Sequence, residues 1–131
     1  MAKMNRVDSE ARMNWRIFIA DFLIDTADLE RTKLEWSGQV FGVIRFYSED
    51  VEMFLGDCLS NKDLHHAVAI GLLDQSEADL LQPFYLAFAA FADVAFEAKL
   101  KDEDIVVDPR WIEISRLAGE ASRLLDVSLR S

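Results

Sequence analysis

Residues 74–100 read DQSEADLLQPFYLAFAAFADVAFEAKL, and the fold turns on this stretch. Phe84, Phe88, Phe91 and Ala95 recur at intervals of four, three and four, so a helix gathers them into one seam. Asp79, Gln82, Asp93 and Glu97 then fall on the opposite side, together with Leu86. Asp74 stands as N-cap with Glu77 three residues on, an Asp variant of the capping box, and Leu73 sits where a hydrophobic staple would. A helix so apolar over most of its circumference belongs at the centre of a fold or against a second subunit. Pro83 lies inside the pattern, removes one hydrogen-bond donor and crowds the carbonyl of Asp79, which predicts a kink or a break. The longest stretch without a formal charge, Leu80 to Ala92, is thirteen residues. A spanning helix wants ~20 apolar residues, so no transmembrane segment is expected.

Outward from this helix the same period recurs. Val40, Ile44, Tyr47, Val51, Phe54 and Cys58 step four and three, which predicts a helix over about 37–59. Met13, Ile17, Ala20, Ile24 and Ala27 do the same behind a cap at Asp8 or Ser9, with Trp15, Phe18, Phe22 and Leu23 widening the apolar sector; this predicts a helix over about 9–30. Ser60 and Asp63 open a short helix over about 61–70, which Gly71 ends in a left-handed conformation. Residues 101–107 read as a loop. Asp108 and Pro109 then start a last helix over about 109–127, with Trp111, Ile114, Ala118, Ala121 and Leu125 inward and Glu113, Arg116, Glu120 and Arg123 outward. The expected fold class is all-α: a single-domain bundle, 1–131, of four main helices (about 9–30, 37–59, 75–100 and 109–127) plus one short helix (61–70), joined up and down by short connections.

Composition bounds the function. The chain has 131 residues, 51% hydrophobic and 29% charged, enough to bury ~2/3 of its unfolded surface without a metal or disulfide staple. Cys58 is the one cysteine, so no intramolecular disulfide can form. Lys3 and Arg6 are followed at once by Asp8 and Glu10, which is not the pattern of a secretory signal; a cytoplasmic protein is expected. The net charge of −10 is unevenly placed. Residues 46–108 hold three basic and fourteen acidic side chains, while residues 1–45 balance and 109–131 carry one excess cation. Such a field repels phosphate backbones and anionic lipid, so neither nucleic acid nor membrane is an expected partner, and a basic protein is.

Catalytic and metal chemistry find little footing. His65 and His66 are adjacent and point about 100° apart on a helix, so both cannot face one ion. Cys58 continues a core stripe, which reads as an inert buried thiol. There is no GxSxG, HExxH, CxxC or phosphate-cradling glycine loop. No enzyme activity, metal or cofactor is therefore expected, and a ligand or metal site around Cys58, His65 and His66 stands as an alternative. Two carboxylates on neighbouring helices would serve as acid and base only in a cleft that makes their surroundings unequal.

Three acidic sets carry the functional reading: Asp21, Asp25 and Asp28; Glu49, Asp50, Glu52 and Asp57; and Asp102, Glu103, Asp104 and Asp108. Size, acidity and a helical core without catalytic residues are similar to those of small cytoplasmic immunity or antitoxin proteins, which neutralise a basic toxin. The similarity is one of composition and carries no residue across. It implies a rigid scaffold that presents carboxylates to a cationic partner around an aromatic anchor. Glu49, Glu52, Asp57, Asp102 and Asp104 are the expected charged contributors, and Trp36, placed ahead of Gly38 between helices, the expected exposed anchor. A self-associating scaffold, dimeric through the apolar 84–96 helix or the first helix, is the second reading.

Overall fold

Several helices begin where an aspartate supplies a cap. A computed structural model describes residues 7–130; Lys3 and Arg6 lie outside them. The Asp8 carboxylate accepts from the Ala11 N–H to open α1, Ser9–Ala27. Asp28 closes that helix and accepts from the Arg31 N–H to open α2, Leu29–Trp36. After a loop come α3, Tyr47–Val51, continued by a π-helical stretch, Glu52–Cys58, and then α4, Leu64–Ala69, capped by Asp63. The capping box of Asp74 and Glu77 starts α5, Gln75–Ala98, which runs unbroken through Pro83. A one-turn α6, Asp102–Ile105, precedes α7, Pro109–Arg130. The fold is all-α, with no strand among the described residues.

Side-chain pairs give the directions. Ser115 of α7 bonds to the carbonyls of Thr26 and Ala27, while Arg16 reaches the Ser128 carbonyl, so α1 and α7 run antiparallel. Phe54 meets Phe22 at 5.3 Å and Trp15 Nε1 donates to the Cys58 carbonyl, so the 47–58 segment descends α1. Arg16 pairs with Glu77 and Phe22 meets Phe88, so α5 ascends beside α1. The result is an up-and-down bundle of α1, the 47–58 segment, α5 and α7 around an aromatic core of Phe22, Phe54, Phe84, Phe88, Phe91 and Trp111. By length and composition alone α5 could cross a membrane; here its Phe84, Phe88 and Phe91 seam is buried against the other helices.

The differences from the sequence reading have local causes. Residues 37–46 are a loop and not the first half of a helix, because Gly38 (φ +76°) and Gly42 (φ +78°) take left-handed backbone that a helix forbids. Val40 and Ile44 thus leave the seam, and Ile44 is exposed. On α1 the inward face is Arg16, Ile19, Ala20, Phe22, Leu23 and Thr26, while Met13, Ile17 and Ile24 face outward. The rotation follows from Arg16 reaching Glu77 and from Phe22 stacking on Phe54. The first helix also ends at Asp28, the fourth starts at Leu64, residues 102–105 form a helical turn, and α7 extends to Arg130.

Candidate functional site

Two groups of carboxylates occupy the bundle surface, and they differ in what surrounds them. The first belongs to α1, α2 and the loop. Arg45 donates to Glu35 at 3.0 Å and to Asp50 at 2.7 Å, Arg31 joins Glu35 at 3.0 Å to Asp25 at 3.3 Å, and Arg130 holds Asp21 at 2.8 Å. Asp50, expected on the outer face with Glu49, is only 1% exposed. Burial pushes its carboxyl above the usual range, against the opposing pull of Arg45. Burial acts on Glu35 in the same sense, but hydrogen bonds from Arg31 and Arg45 outweigh it and hold that carboxyl low. These groups line a cleft of about 430 Å³ with Phe18, Val43, Ile44 and Met53. Every cation there already has a carboxylate, so the set is a tether for the 37–46 loop.

The second group surrounds the start of α3. Phe46 supplies no side-chain cap to that helix, and Asp102 of α6 does so from outside, accepting from the Tyr47 N–H at 3.1 Å. This bond joins two acidic sets that lie 55 residues apart in the chain. On one side of it Tyr47, Ser48, Val51, Ala92, Ala95, Phe96, Leu100 and the rim residues Glu97, Lys99 and Asp102 enclose a groove of about 510 Å³. On the other side Lys33, Trp36, Ser37, Lys101, Asp102, Glu103, Val106 and Val107 enclose one of about 520 Å³. One turn along, Ser48, Glu49, Glu52, Met53 and Asp57 line a third depression of about 370 Å³. Glu52 lies over Gly56, where an added Cβ would stand 2.9 Å from its Oε1.

The decisive property is the absence of counter-charge. Of the fourteen acidic side chains in 46–108, only Asp50, Asp74, Glu77 and Asp108 form an ion pair with Lys or Arg among the described residues. Among the described residues Glu49, Glu52, Asp57, Asp93, Glu97, Asp102, Glu103 and Asp104 form none, and neighbouring Lys99 and Lys101 form none either. The Tyr47 phenol registers this field: burial raises it first, and the charges of Asp50, Asp102 and Asp93 raise it further.

Placement of the expected residues is mixed. Glu49, Glu52 and Asp57 come together on one exposed face, Asp102 is turned inward as a cap, and Asp104 is exposed on α6. Trp36 is not an exposed anchor. It is 7% exposed, packed 5.1 Å from Trp111 and 5.7 Å from Tyr47 with the Arg45 guanidinium over its ring, because α2 folds it back into the core. Phe41 in the 37–46 loop, Phe46 before α3 and Phe96 in the last turn of α5 are the exposed aromatics near it, and of these Phe96, 85% accessible, borders the groove. Its signal was present in the sequence: it follows Ala95 of the seam, and so points about 100° away from the core. Cys58 is buried, with its thiol pushed up to about 12 by burial first and by Asp57 second, while His65 is exposed. No group of three His, Cys, Asp or Glu among the described residues is placed to hold a metal ion.

No family model matches this chain, and neither a curated protein nor a solved structure matches it.

Proposed function

We propose that the chain is a binding module for a basic protein, and that the groove between α3 and the C-terminal half of α5 receives a cationic amphipathic segment of that partner. The observation that carries this reading is an exposed aromatic, Phe96, beside an apolar groove whose rim charges, Glu97, Asp102 and Lys99, form no ion pair among the described residues. Apolar centres with charged rims are the anatomy of protein interfaces, in which buried contacts set lifetime and charge sets encounter. A partner's apolar side chain would fill the space lined by Val51, Ala92, Ala95 and Leu100, while its Lys or Arg residues meet Glu49, Glu52, Glu97 and Asp102. A rigid bundle suits such a surface, because little ordering entropy is lost on binding. This is the mode of action expected of a small immunity or antitoxin protein that neutralises a basic toxin.

The test uses two synthetic helical peptides, one with leucine on one face and lysine on the other, the second with glutamate in place of every lysine. Fluorescence anisotropy should show binding of the first alone, weakened by salt and by Phe96→Asp. Equal affinity for both peptides, or equal weakening by Glu113→Lys on α7, would overturn the reading.

A further inference from the structure

Residues 37–44 read SGQVFGVI, carry no formal charge and form the tip of the loop ahead of α3. Phe41 is fully exposed, with Val43 and Ile44 exposed beside it. The Val43 N–H donates to the Val40 carbonyl at 3.2 Å, which makes a turn with Phe41 and Gly42 at its two central positions, and Gly42 takes φ +78° there. An added Cβ at Gly38 or Gly42 would meet no atom within 4 Å, so the tip projects clear of the helices. Among the described residues, that turn bond is the only backbone hydrogen bond formed within residues 40–45. The root of the loop is fixed: Glu35 and Asp50 hold Arg45, and Asp102 holds the Tyr47 N–H.

An endoprotease acts on a segment whose backbone it can draw away from the fold, and exposed loop tips with few backbone bonds supply such segments. Side-chain preference then selects the class of enzyme. A trypsin-like protease finds no substrate at this tip, because residues 37–44 hold neither Lys nor Arg and Arg45 is turned inward, its side chain 11% exposed. A protease that takes a large apolar side chain finds Phe41. The other exposed phenylalanines are protected by their backbone. Phe18 and Phe96 lie within α1 and α5, and the peptide group between Phe46 and Tyr47 has its carbonyl bonded to the Asp50 N–H and its N–H bonded to Asp102.

We propose that the Phe41–Gly42 peptide bond is a site of limited proteolysis built into the fold, open to endoproteases that take a large apolar side chain before the cut and closed to those that require a cation. In the cut, water adds across the amide: the C–N bond breaks, a C–O bond forms, and Phe41 is left with a carboxylate and Gly42 with an ammonium group. The two pieces, residues 1–41 and 42–131, stay joined by packing. Phe22 of the first lies against Phe54, Phe84 and Phe88 of the second, Arg16 pairs with Glu77, Ser115 bonds to the Thr26 carbonyl, and Arg45 reaches across the cut to Glu35. Every residue lining the groove at Phe96 belongs to the second piece, so the surface proposed for a basic partner survives the cut. What changes is the return from unfolding. The uncut chain refolds as one molecule, while the cut one must reunite two, so its stability depends on concentration.

Brief digestion of the full chain with chymotrypsin, read by mass spectrometry, tests this. The first cut within residues 7–130 should fall between Phe41 and Gly42, whereas the first cut by trypsin should fall outside residues 37–46. Phe41→Asp should slow the chymotryptic cut by about tenfold or more, and Phe96→Asp should leave it unchanged. The cut protein should elute as one species with the circular dichroism spectrum of the intact chain, and its thermal midpoint, unlike that of the uncut chain, should fall on about tenfold dilution. A first chymotryptic cut elsewhere in residues 7–130, a first tryptic cut inside the loop, an unchanged rate in Phe41→Asp, or pieces that separate without denaturant would overturn the inference.

Discussion

Glu49 and Asp50 are neighbours in the chain and opposites in the fold. Asp50 is enclosed and gripped by Arg45, while Glu49 is exposed beside Glu52 and Asp57 and forms no ion pair among the described residues. The contrast extends to whole regions. At the end of the bundle made by α1, α2 and the 37–46 loop, Asp21, Asp25, Glu35 and Asp50 each have an arginine. Around α3, α5 and α6, Glu49, Glu52, Asp93, Glu97 and Glu103 have none among the described residues. Identical chemistry thus takes two forms: paired with arginine, a carboxylate ties helix and loop together; unpaired and exposed, it is the surface that the proposed function assigns to a partner. Buried charge is tolerated only with its counter-ion, whereas exposed charge costs little to leave single.

The sharpest way to break this contrast is to remove Arg45. Arg45→Ala leaves Asp50 enclosed without a cation and Glu35 with Arg31 alone, and should lower stability by about 3–5 kcal/mol in equilibrium denaturation. Glu49→Ala and Glu52→Ala in the same assay should fall within about 0.5 kcal/mol of the parent. Comparable losses in both sets would erase the distinction.

Acid titration sharpens it next. Burial raises the Glu77 carboxyl, but hydrogen bonds from Arg16, the Asp74 N–H and Ser128 more than reverse this and hold it at about 2. A carboxyl depressed in the folded state contributes stability above its unfolded pKa, and that contribution disappears as pH falls through the folded value. On the order of 2–3 kcal/mol should therefore be lost between about pH 4.5 and 2. Glu77→Gln should start less stable at neutral pH and show a flatter profile over that window. Asp50, whose carboxyl is raised, works in the opposite direction and gains on protonation.

Phe96→Ala probes the exposed region alone. It should weaken binding of the leucine–lysine peptide by at least tenfold, about 1.4 kcal/mol, with denaturation unchanged within about 0.5 kcal/mol. The smallest effect belongs to charge at the rim. Glu49→Lys with Glu52→Lys should slow association of that peptide several-fold in stopped-flow measurements, leave dissociation nearly constant, and reduce the dependence on salt. A change confined to the dissociation rate would show that these carboxylates make buried contacts and do not steer.

Part of this was legible in the chain. The α5 seam of Phe84, Phe88, Phe91 and Ala95, the α7 seam from Trp111 to Leu125, the capping box at Asp74 and the left-handed Gly71 all appear as read. The 37–46 segment departs from its periodicity: Val40 and Ile44 have helical spacing, while Gly38 and Gly42 take left-handed backbone that stops a helix. Among the expected contact residues, Glu49, Glu52 and Asp57 do gather on one face, and Trp36 turns inward. Phe96 is one apolar residue beside a seam of them, and only its offset of about 100° from Ala95 separates it from the core.

The sequence by itself determined the helices of α5 and α7, their apolar faces and the excess of acid between residues 46 and 108, since each depends on spacing along a backbone of known pitch or on simple counting. Only the tertiary structure decided which carboxylates meet an arginine, which aromatics remain in water, and that Asp102 closes the start of α3. Those outcomes depend on distant segments: Arg45 meets Glu35, Tyr47 meets Asp102 and Arg16 meets Glu77 only once the bundle has folded. Periodicity is written into neighbours, while pairing is written into the packing that brings remote residues together.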